Sequence, residues 1–175
     1  MARRNYTLDA NMLVDDGTGA HSAAGYGQVG GSQGIVDLGG NQGITITLPS
    51  ISNVATITPQ QARIDAVCVV QLTAVTLAGS DIYTLTLVGS NSPSLASNNV
   101  NLGAMSWGQA AAFAYPNAAV TTAPLGAGNY PAGWQYEILF TNEVQNTPYE
   151  YVSAYFSGTF GSITAKAYIS VLPRE

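Results

Sequence analysis

The clearest pattern in the chain is a strict alternation of side chains over residues 81–91, DIYTLTLVGSN. One face of an extended chain carries Tyr83, Leu85 and Leu87, and the other carries Ile82, Thr84, Thr86 and Val88. A period of two, made of β-branched and aromatic residues, predicts a strand with one face in a core. The glycine, serine and proline residues that follow predict its end.

The same analysis predicts seven more strands, at residues 34–38, 44–48, 62–76, 100–107, 135–141, 149–157 and 162–172. No segment has the convincing period of an amphipathic helix. About eight strands at short spacing predict an all-β domain, built as an antiparallel sandwich or a barrel.

The longest predicted strand, residues 62–76, is apolar on both faces. One face carries Ile64, Ala66, Cys68, Val70 and Leu72, and the other carries Val67, Val69 and Val75. Such a strand is either central and covered on both faces or packed on a partner. The short turn Ala78-Gly79-Ser80 predicts that residues 62–76 and 82–88 form an antiparallel pair.

Two segments fall outside this strand pattern. Residues 1–32 form a predicted glycine-rich N-terminal arm, either a flexible tail or an arm that is ordered only against a neighbouring subunit. Residues 33–175 form the predicted domain, which contains a long loop at 108–133. That loop has three prolines and no charge, which favours an interface over a solvated loop.

Charge is scarce in this chain. Only 9% of residues are charged, against about 25% in typical domains, and the net charge is −5. A surface solvated by neutral polar groups suits a protein held in an assembly. The basic residues are Arg3, Arg4, Arg63, Lys166 and Arg174. We therefore expect no nucleic-acid partner, because such a surface needs several cations on one face.

Residues 1–16 include basic side chains but no apolar stretch of the signal-peptide type. No apolar run approaches the roughly 20 residues of a membrane span. We expect a chain that is made in the cytoplasm, is not secreted by the usual route and has no membrane partner.

Several motifs resemble catalytic or ligand sites, but their surroundings do not fit. Residues 25–30 match G-x-G-x-x-G without the flanking strand and helix of a dinucleotide site. Residues 30–34 match G-x-S-x-G, yet the only histidine, His21, precedes the serine. Asp15 and Asp16 lack the ligand spacing of a calcium loop. The only cysteine, Cys68, excludes an internal disulfide and is expected to be a buried hydrophobe.

Carboxylates and aromatic residues offer two further alternatives. Glu137, Glu143 and Glu150 could suggest a glycoside hydrolase, but Glu137 and Glu150 alternate with core positions and are expected to point to solvent. Trp107 and Trp134 could form a sugar-stacking platform, or they could fill the core and rim of a sandwich. We expect no catalysis and no metal or other cofactor.

The order of the strand sequences resembles a known family. Ile35-Val36-Asp37-Leu38-Gly39 is followed by the hydrophobic strand at 66–72, by TLTLVGS at 84–90, and by tyrosine-rich strands at 149–156 and 167–172. This order is similar to that of the capsid cement, or decoration, proteins of short-tailed double-stranded-DNA phages of the Bordetella-phage type. The resemblance covers roughly residues 34–172, and the glycine-rich arm and the 108–133 loop depart from it.

The resemblance implies a jelly-roll-like subunit of the virion that binds the outer surface of the capsid. It also implies synthesis in the cytoplasm of a bacterial host, with the major capsid protein and the chain itself, as a dimer or trimer, as the expected partners. We expect the contacts in the arm and the loop, at Arg3, Arg4, Tyr6, Leu8, Met12, Leu13, Phe113, Tyr115 and Tyr130. The alternative is a phage tail or fibre domain, or a carbohydrate-binding β-sandwich module.

Overall fold

The computed structural model of the chain describes residues 8–39, 44–47, 54–57, 63–77, 81–109, 121–125, 128–130, 134–159 and 161–171. A short 3-10 helix, Ala10–Met12, precedes the first strand. The strands up to the first long one are β1 (Leu13–Asp16), β2 (Gly25–Tyr26), β3 (Gln28–Val29), β4 (Ser32–Gln33), β5 (Ile35–Asp37), β6 (Ile44–Thr47), β7 (Val54–Ile57) and β8 (Asp65–Leu77). The remaining strands are β9 (Ile82–Ser90), β10 (Val100–Gln109), β11 (Thr121–Leu125), β12 (Gly128–Tyr130), β13 (Trp134–Thr141), β14 (Glu143–Val144), β15 (Thr147–Pro148), β16 (Tyr151–Thr159) and β17 (Ser162–Val171).

Most of these strands form two sheets that pack face to face. Sheet A has the order β1-β17-β8-β13, with β12 beside the end of β8. Sheet B has the order β11-β10-β9-β16-β2, with β5 also beside β16. Every pairing in the described residues is antiparallel except that of β10 with β11. The predicted all-β sandwich is confirmed, and each of the eight predicted strands is present.

The core lies between the sheets and follows from the alternation in the sequence. Tyr83, Leu85 and Leu87 of β9 are buried as predicted. Leu85 is opposite Met105 of β10 and Phe156 of β16, so the inward positions of three strands meet in one row. Sheet A contributes the inward side chains of β8, β13 and β17 to the same cluster. Cys68 is among them, which confirms that it is buried.

The predicted pairing of the strand at 62–76 with the strand at 82–88 is wrong. β8 pairs with β17 on one edge and with β13 and β12 on the other, so both of its edges are occupied within sheet A. β9 lies in sheet B, and the short connection crosses from one sheet to the other. The Tyr83 hydroxyl donates a hydrogen bond of 3.0 Å to the carbonyl of Thr76 across this crossing. Consecutive strands β8 and β9 therefore belong to different layers and do not form a hairpin.

A bulge in β8 changes which face Val75 occupies. The register to β17 runs from Leu72 opposite Ala165 to Ala74 opposite Thr164, so Thr73 is an extra residue on β8. Such an insertion reverses the alternation beyond it. Val75, which was predicted on the same face as Val67 and Val69, is therefore buried in the central core.

The described part of the segment predicted as an arm, residues 8–32, contributes strands to both sheets. β1 pairs with β17 in sheet A, and β2 pairs with β16 in sheet B. Glycine makes this route possible, because an added Cβ at Gly27 or Gly34 would lie 2.2 or 2.3 Å from the Val14 carbonyl oxygen. These glycines serve close backbone approach, which composition alone does not distinguish from flexibility.

The described parts of the predicted long loop at 108–133 belong to strands. Residues 108 and 109 belong to β10, while β11 and β12 pair with β10 and β8. Residues 110–120, 126–127 and 131–133 lie outside the described residues.

Candidate interaction surfaces

The outer face of sheet A carries an apolar patch, which we define as Leu13, Val67, Val69, Leu139 and Tyr168. Val67, Val69 and Tyr168 form a buried cluster separate from the central core, and Leu13 packs against it. Leu139 is opposite Val67 on the neighbouring strand and is 60% exposed. The patch therefore extends from a buried cluster to a large apolar side chain in solvent.

The other half of this face is polar. Gln71 of β8 lies between Gln135 of β13 and Lys166 of β17, and Glu137 of β13 lies opposite Val69. Gln135 and Glu137 are exposed, which confirms the prediction for Glu137. Val67, Val69 and Tyr168 are buried, so Leu139 is the large side chain of the patch that lies in solvent, and amide and charged groups border it.

The outer face of sheet B has a different chemistry. Its strands β9, β10 and β16 contain no charged residue. Hydroxyl side chains on this face include Thr84, Thr86, Ser106, Tyr151, Ser153, Tyr155 and Ser157. Several are bonded within the protein: Thr84 and Ser106 share a hydrogen bond of 2.7 Å, and Ser153 donates one of 2.6 Å to the carbonyl of Gly34. Part of the hydrogen-bonding capacity of this face is therefore taken up by groups of the protein itself.

A buried acid and the only histidine connect the glycine-rich segment to the sandwich. Asp15 is 1% exposed, and one of its carboxylate oxygens lies 2.7 Å from His21 Nε2. The same carboxylate accepts hydrogen bonds from the backbone N–H groups of Gly17 and Gln28. The His21 ring stacks on Phe156 with centroids 4.0 Å apart. These contacts give both groups structural partners.

The neighbouring carboxylate, Asp16, organises a turn. Its Oδ1 accepts hydrogen bonds from the hydroxyl and the N–H of Thr18, at 2.6 and 2.9 Å. Its Oδ2 accepts one of 2.7 Å from the N–H of Gly30. The Thr18 hydroxyl bond, followed by the two backbone bonds, lowers the pKa of Asp16 below its ordinary value. Asp15 and Asp16 thus share no common ligand position.

A pocket of about 400 Å³ lies beside these groups. It opens between residues 20–26 and the β3–β4 hairpin. Its polar side chains are those of His21, Ser22, Tyr26, Gln28 and Gln33. Gln28 and Gln33 are directly opposite each other in the hairpin, and both are exposed.

The predicted contact residues occupy several different environments. Leu8 is exposed, at 46%, whereas Met12 packs against the central core and Leu13 against the outer cluster of sheet A. Tyr130 pairs through its backbone with Val75, and its side chain is outside the description. The predicted residues that lie outside the described ranges are Arg3, Arg4, Tyr6, Phe113 and Tyr115.

Some of the residues that were considered as catalytic, ligand or sugar-binding candidates lie in buried environments. Burial raises the pKa of the Cys68 thiol to about 12. Glu150, predicted to point to solvent, is buried at 7% exposure, because its strand begins one residue later and Glu150 lies in the preceding turn, where its N–H donates to Asn91. Trp107 is buried beside Tyr136 in the core, which excludes it from an exposed sugar platform.

The two glycine motifs form strands and turns. Residues 25–30 run from β2 into β3, and β4 follows, so no helix begins after the G-x-G-x-x-G match. The G-x-S-x-G match spans the β3–β4 turn and leads into β5. Neither has the backbone that its chemistry requires.

Sequence reasoning missed Leu139, Gln28 and Gln33. The signal for Leu139 was present, since a strand that turns Tyr136, Ile138 and Phe140 inward must turn Leu139 outward. The signal for the glutamines was weaker, because their proximity depends on a hairpin of two-residue strands in glycine-rich sequence.

The chain matches no protein-family model, no curated protein and no solved structure. Within the described ranges, no helix is long and apolar enough to cross a membrane. In the same part of the chain, no group of three or more His, Cys, Asp or Glu side chains is placed to hold a metal ion.

Proposed function

We propose that this protein is a capsid cement protein of the virion, which binds the outer surface of a phage shell through the apolar patch of sheet A. The observation that carries this proposal is Leu139, a large apolar side chain that is 60% exposed beside the buried pair Val67 and Val69. Contiguous apolar surface rimmed by polar groups marks protein-binding sites, and Leu139 is the part of the patch that lies in solvent. Removing Leu139 from water would contribute about 2 kcal/mol to binding.

The distribution of charge supports a position outside the shell and away from packaged DNA. Of the basic residues within the described ranges, Arg63 is ion-paired with Asp65 at 3.2 Å, and Lys166 lies on the outer face of sheet A. The chain carries ten acidic residues against five basic ones. A surface that lies against DNA phosphates needs clustered cations.

The mechanism would be the preferential binding of assembled shell protein. A ligand that binds only the assembled state stabilises that state by mass action. Contact areas of about 1,600 Å², repeated over the shell, are large enough to join neighbouring capsid subunits. Self-association as a dimer or trimer would add to this through linked binding sites.

The test is to produce particles from the genome that encodes this chain and to quantify the chain per copy of the major shell protein by mass spectrometry. We expect a fixed ratio in intact particles, and earlier heat disruption of particles made without the chain. Leu139→Glu should lower occupancy at least tenfold, because it places a charge in the apolar patch.

Gln135→Glu is the matched control, since it adds the same charge on the same exposed face of β13. We expect nearly unchanged occupancy for this variant. Absence of the chain from particles would contradict the proposal, as would equal occupancy of the two variants. Recovery in the tail fraction alone would support the tail or fibre alternative.

A further inference from the structure

The pocket beside the glycine-rich segment differs from the apolar patch in position and chemistry. It is lined by residues 20–26 together with Gln28 and Gln33, at the side of the sandwich where β1 and β2 enter different sheets. Its volume of about 400 Å³ is within the range of small-molecule sites.

The pocket is polar but offers no cation to a ligand. Gln28, Gln33 and Ser22 supply amide and hydroxyl groups, which both donate and accept hydrogen bonds. The Asp15 carboxylate is not part of the lining: it is buried and accepts hydrogen bonds from the pocket residue His21 and from two backbone N–H groups. A phosphate or sulfate would find no Lys or Arg in this lining, and an apolar ligand would leave the amides without partners.

The two glutamines are placed as a pair. In the β3–β4 hairpin, Gln28 is the cross-strand neighbour of Gln33, which puts their Cβ atoms about 5 Å apart. Two neighbouring primary amides can bind adjacent hydroxyl groups of one ligand, each as donor and acceptor.

Tyr26 adds an aromatic surface whose orientation is fixed. Its ring meets that of Tyr155 edge to face, with centroids 5.0 Å apart, and its hydroxyl accepts a hydrogen bond of 3.4 Å from Asn99. An aromatic ring of this kind combines an apolar face with a polar tip. It suits a ligand with both C–H faces and hydroxyl edges.

The backbone around the pocket is held on both sides. His21 exchanges hydrogen bonds of 2.8 and 3.1 Å with Ile163, and the N–H of Gly27 donates one of 2.8 Å to Ala154. The N–H of Gly34 donates to the carbonyl of Gly27, also at 2.8 Å. A site that is already ordered loses little conformational entropy on binding.

We propose that this pocket binds a neutral saccharide, with the amides of Gln28 and Gln33 on its hydroxyl groups and Tyr26 against its C–H face. This binding activity is separate from the capsid contact and does not depend on it. The residues belong to a different region from Leu139, so each activity can be removed alone.

The test uses the full chain on an array of neutral and charged oligosaccharides. NMR titration of the isotope-labelled protein with methyl glycosides of glucose, galactose, mannose and N-acetylglucosamine follows. We expect binding to neutral glycans, with shift changes concentrated at residues 20–28 and 33. The double variant Gln28→Ala/Gln33→Ala should bind at least tenfold more weakly, and Tyr26→Ala is a second, independent variant.

Gln71→Ala/Gln135→Ala is the matched control, because these glutamines are also cross-strand neighbours but lie on the outer face of sheet A. It should bind as the unmodified chain does. Four results would overturn the proposal: no neutral glycan bound, binding confined to charged glycans, no weakening in either folded pocket variant, or equal weakening in the control. None of these results depends on whether the chain occupies capsids.

Discussion

The two outer faces of the sandwich share an alternating strand pattern but differ in what the outward positions carry. On sheet A, Val67 and Val69 are fully buried and Leu139 is exposed beside them. On sheet B, the middle strands carry hydroxyl groups, of which Thr84 and Ser106 bond to each other. The outer face of sheet A carries Glu137 and Lys166 on β13 and β17, whereas on sheet B the strands β9, β10 and β16 carry no charged residue and Asp37 lies on β5 at the edge.

This difference distinguishes the inward residues, which account for folding, from the outward residues, which are available for interaction. Both sheets direct apolar side chains into one core, and that core accounts for the fold. The outward positions are free of that demand, so apolar groups that join into one patch there are candidates for an interaction surface. On sheet B, the Thr84–Ser106 and Ser153–Gly34 hydrogen bonds satisfy part of the outward polar groups, and the outward apolar residues Ile82 and Val88 are half-buried. Sheet A retains an apolar patch, and for that reason we propose the docking role for it.

The largest expected effect comes from placing a carboxylate at equivalent outward positions of the two sheets. Val69→Glu buries a charge across from Glu137 and should lower the free energy of unfolding by about 3 kcal/mol or more. Thr86→Glu on sheet B, where Thr86 is half-buried, should cost about 1 kcal/mol or less. Urea denaturation measures both. Similar losses would show that the two faces do not differ as described.

A smaller loss of stability is expected where the glycine-rich segment packs closely against β1. Gly34→Ala forces a Cβ against the Val14 carbonyl and should cost about 2–3 kcal/mol. Gly25→Ala is the control, since a Cβ there meets nothing within 4 Å, and it should change stability by less than about 0.5 kcal/mol. Thermal unfolding of the pair gives the comparison. Equal stability of both variants would mean that this close approach does not hold in solution.

The smallest expected effect is the pH dependence of stability that the Asp16 carboxylate contributes. A folded-state pKa below the ordinary 3.8 means that the folded chain binds fewer protons than the unfolded chain near that pH. The carboxylate therefore stabilises the fold above about pH 4 and loses this contribution as the pH falls through the lowered value.

Asp16→Asn should reduce the midpoint of thermal unfolding at pH 7 by at most about 2–4 °C. The difference from the unmodified chain should shrink as the pH falls below 3.8. A difference that stays constant between pH 7 and pH 3 would contradict this role of the Asp16 carboxylate.

The strands were predictable from the sequence because their signal is local. Alternation identified β9 and the inward face of β16, and it placed Cys68 in the core. Pairing was not predictable, because it depends on contacts between distant residues. The connection from β8 to β9 is short, yet β17 occupies one edge of β8 and β13 the other. The bulge at Thr73 is visible only in the register of β8 with β17, and the local sequence does not mark it.

The interaction surfaces were predictable only in part. Leu13 and Met12 were both predicted to make contacts, which stays a prediction; Leu13 belongs to the apolar patch, whereas Met12 packs into the core. Because side chains alternate along a strand, Leu139 must point outward once its two neighbours on β13 are predicted to point inward. The Gln28–Gln33 pair needs the β3–β4 hairpin, whose strands are too short for alternation to reveal.

The most direct test of the docking assignment is thiol labelling of particles that contain the chain. Native Cys68 is buried, with a thiol pKa of about 12, and should not react with maleimide. Leu139→Cys on sheet A and Asn101→Cys on sheet B each add one exposed thiol. Both should be labelled in the free protein. On particles, we predict that the thiol at position 139 is protected and the thiol at position 101 is still labelled; equal labelling of the two on particles would contradict the account.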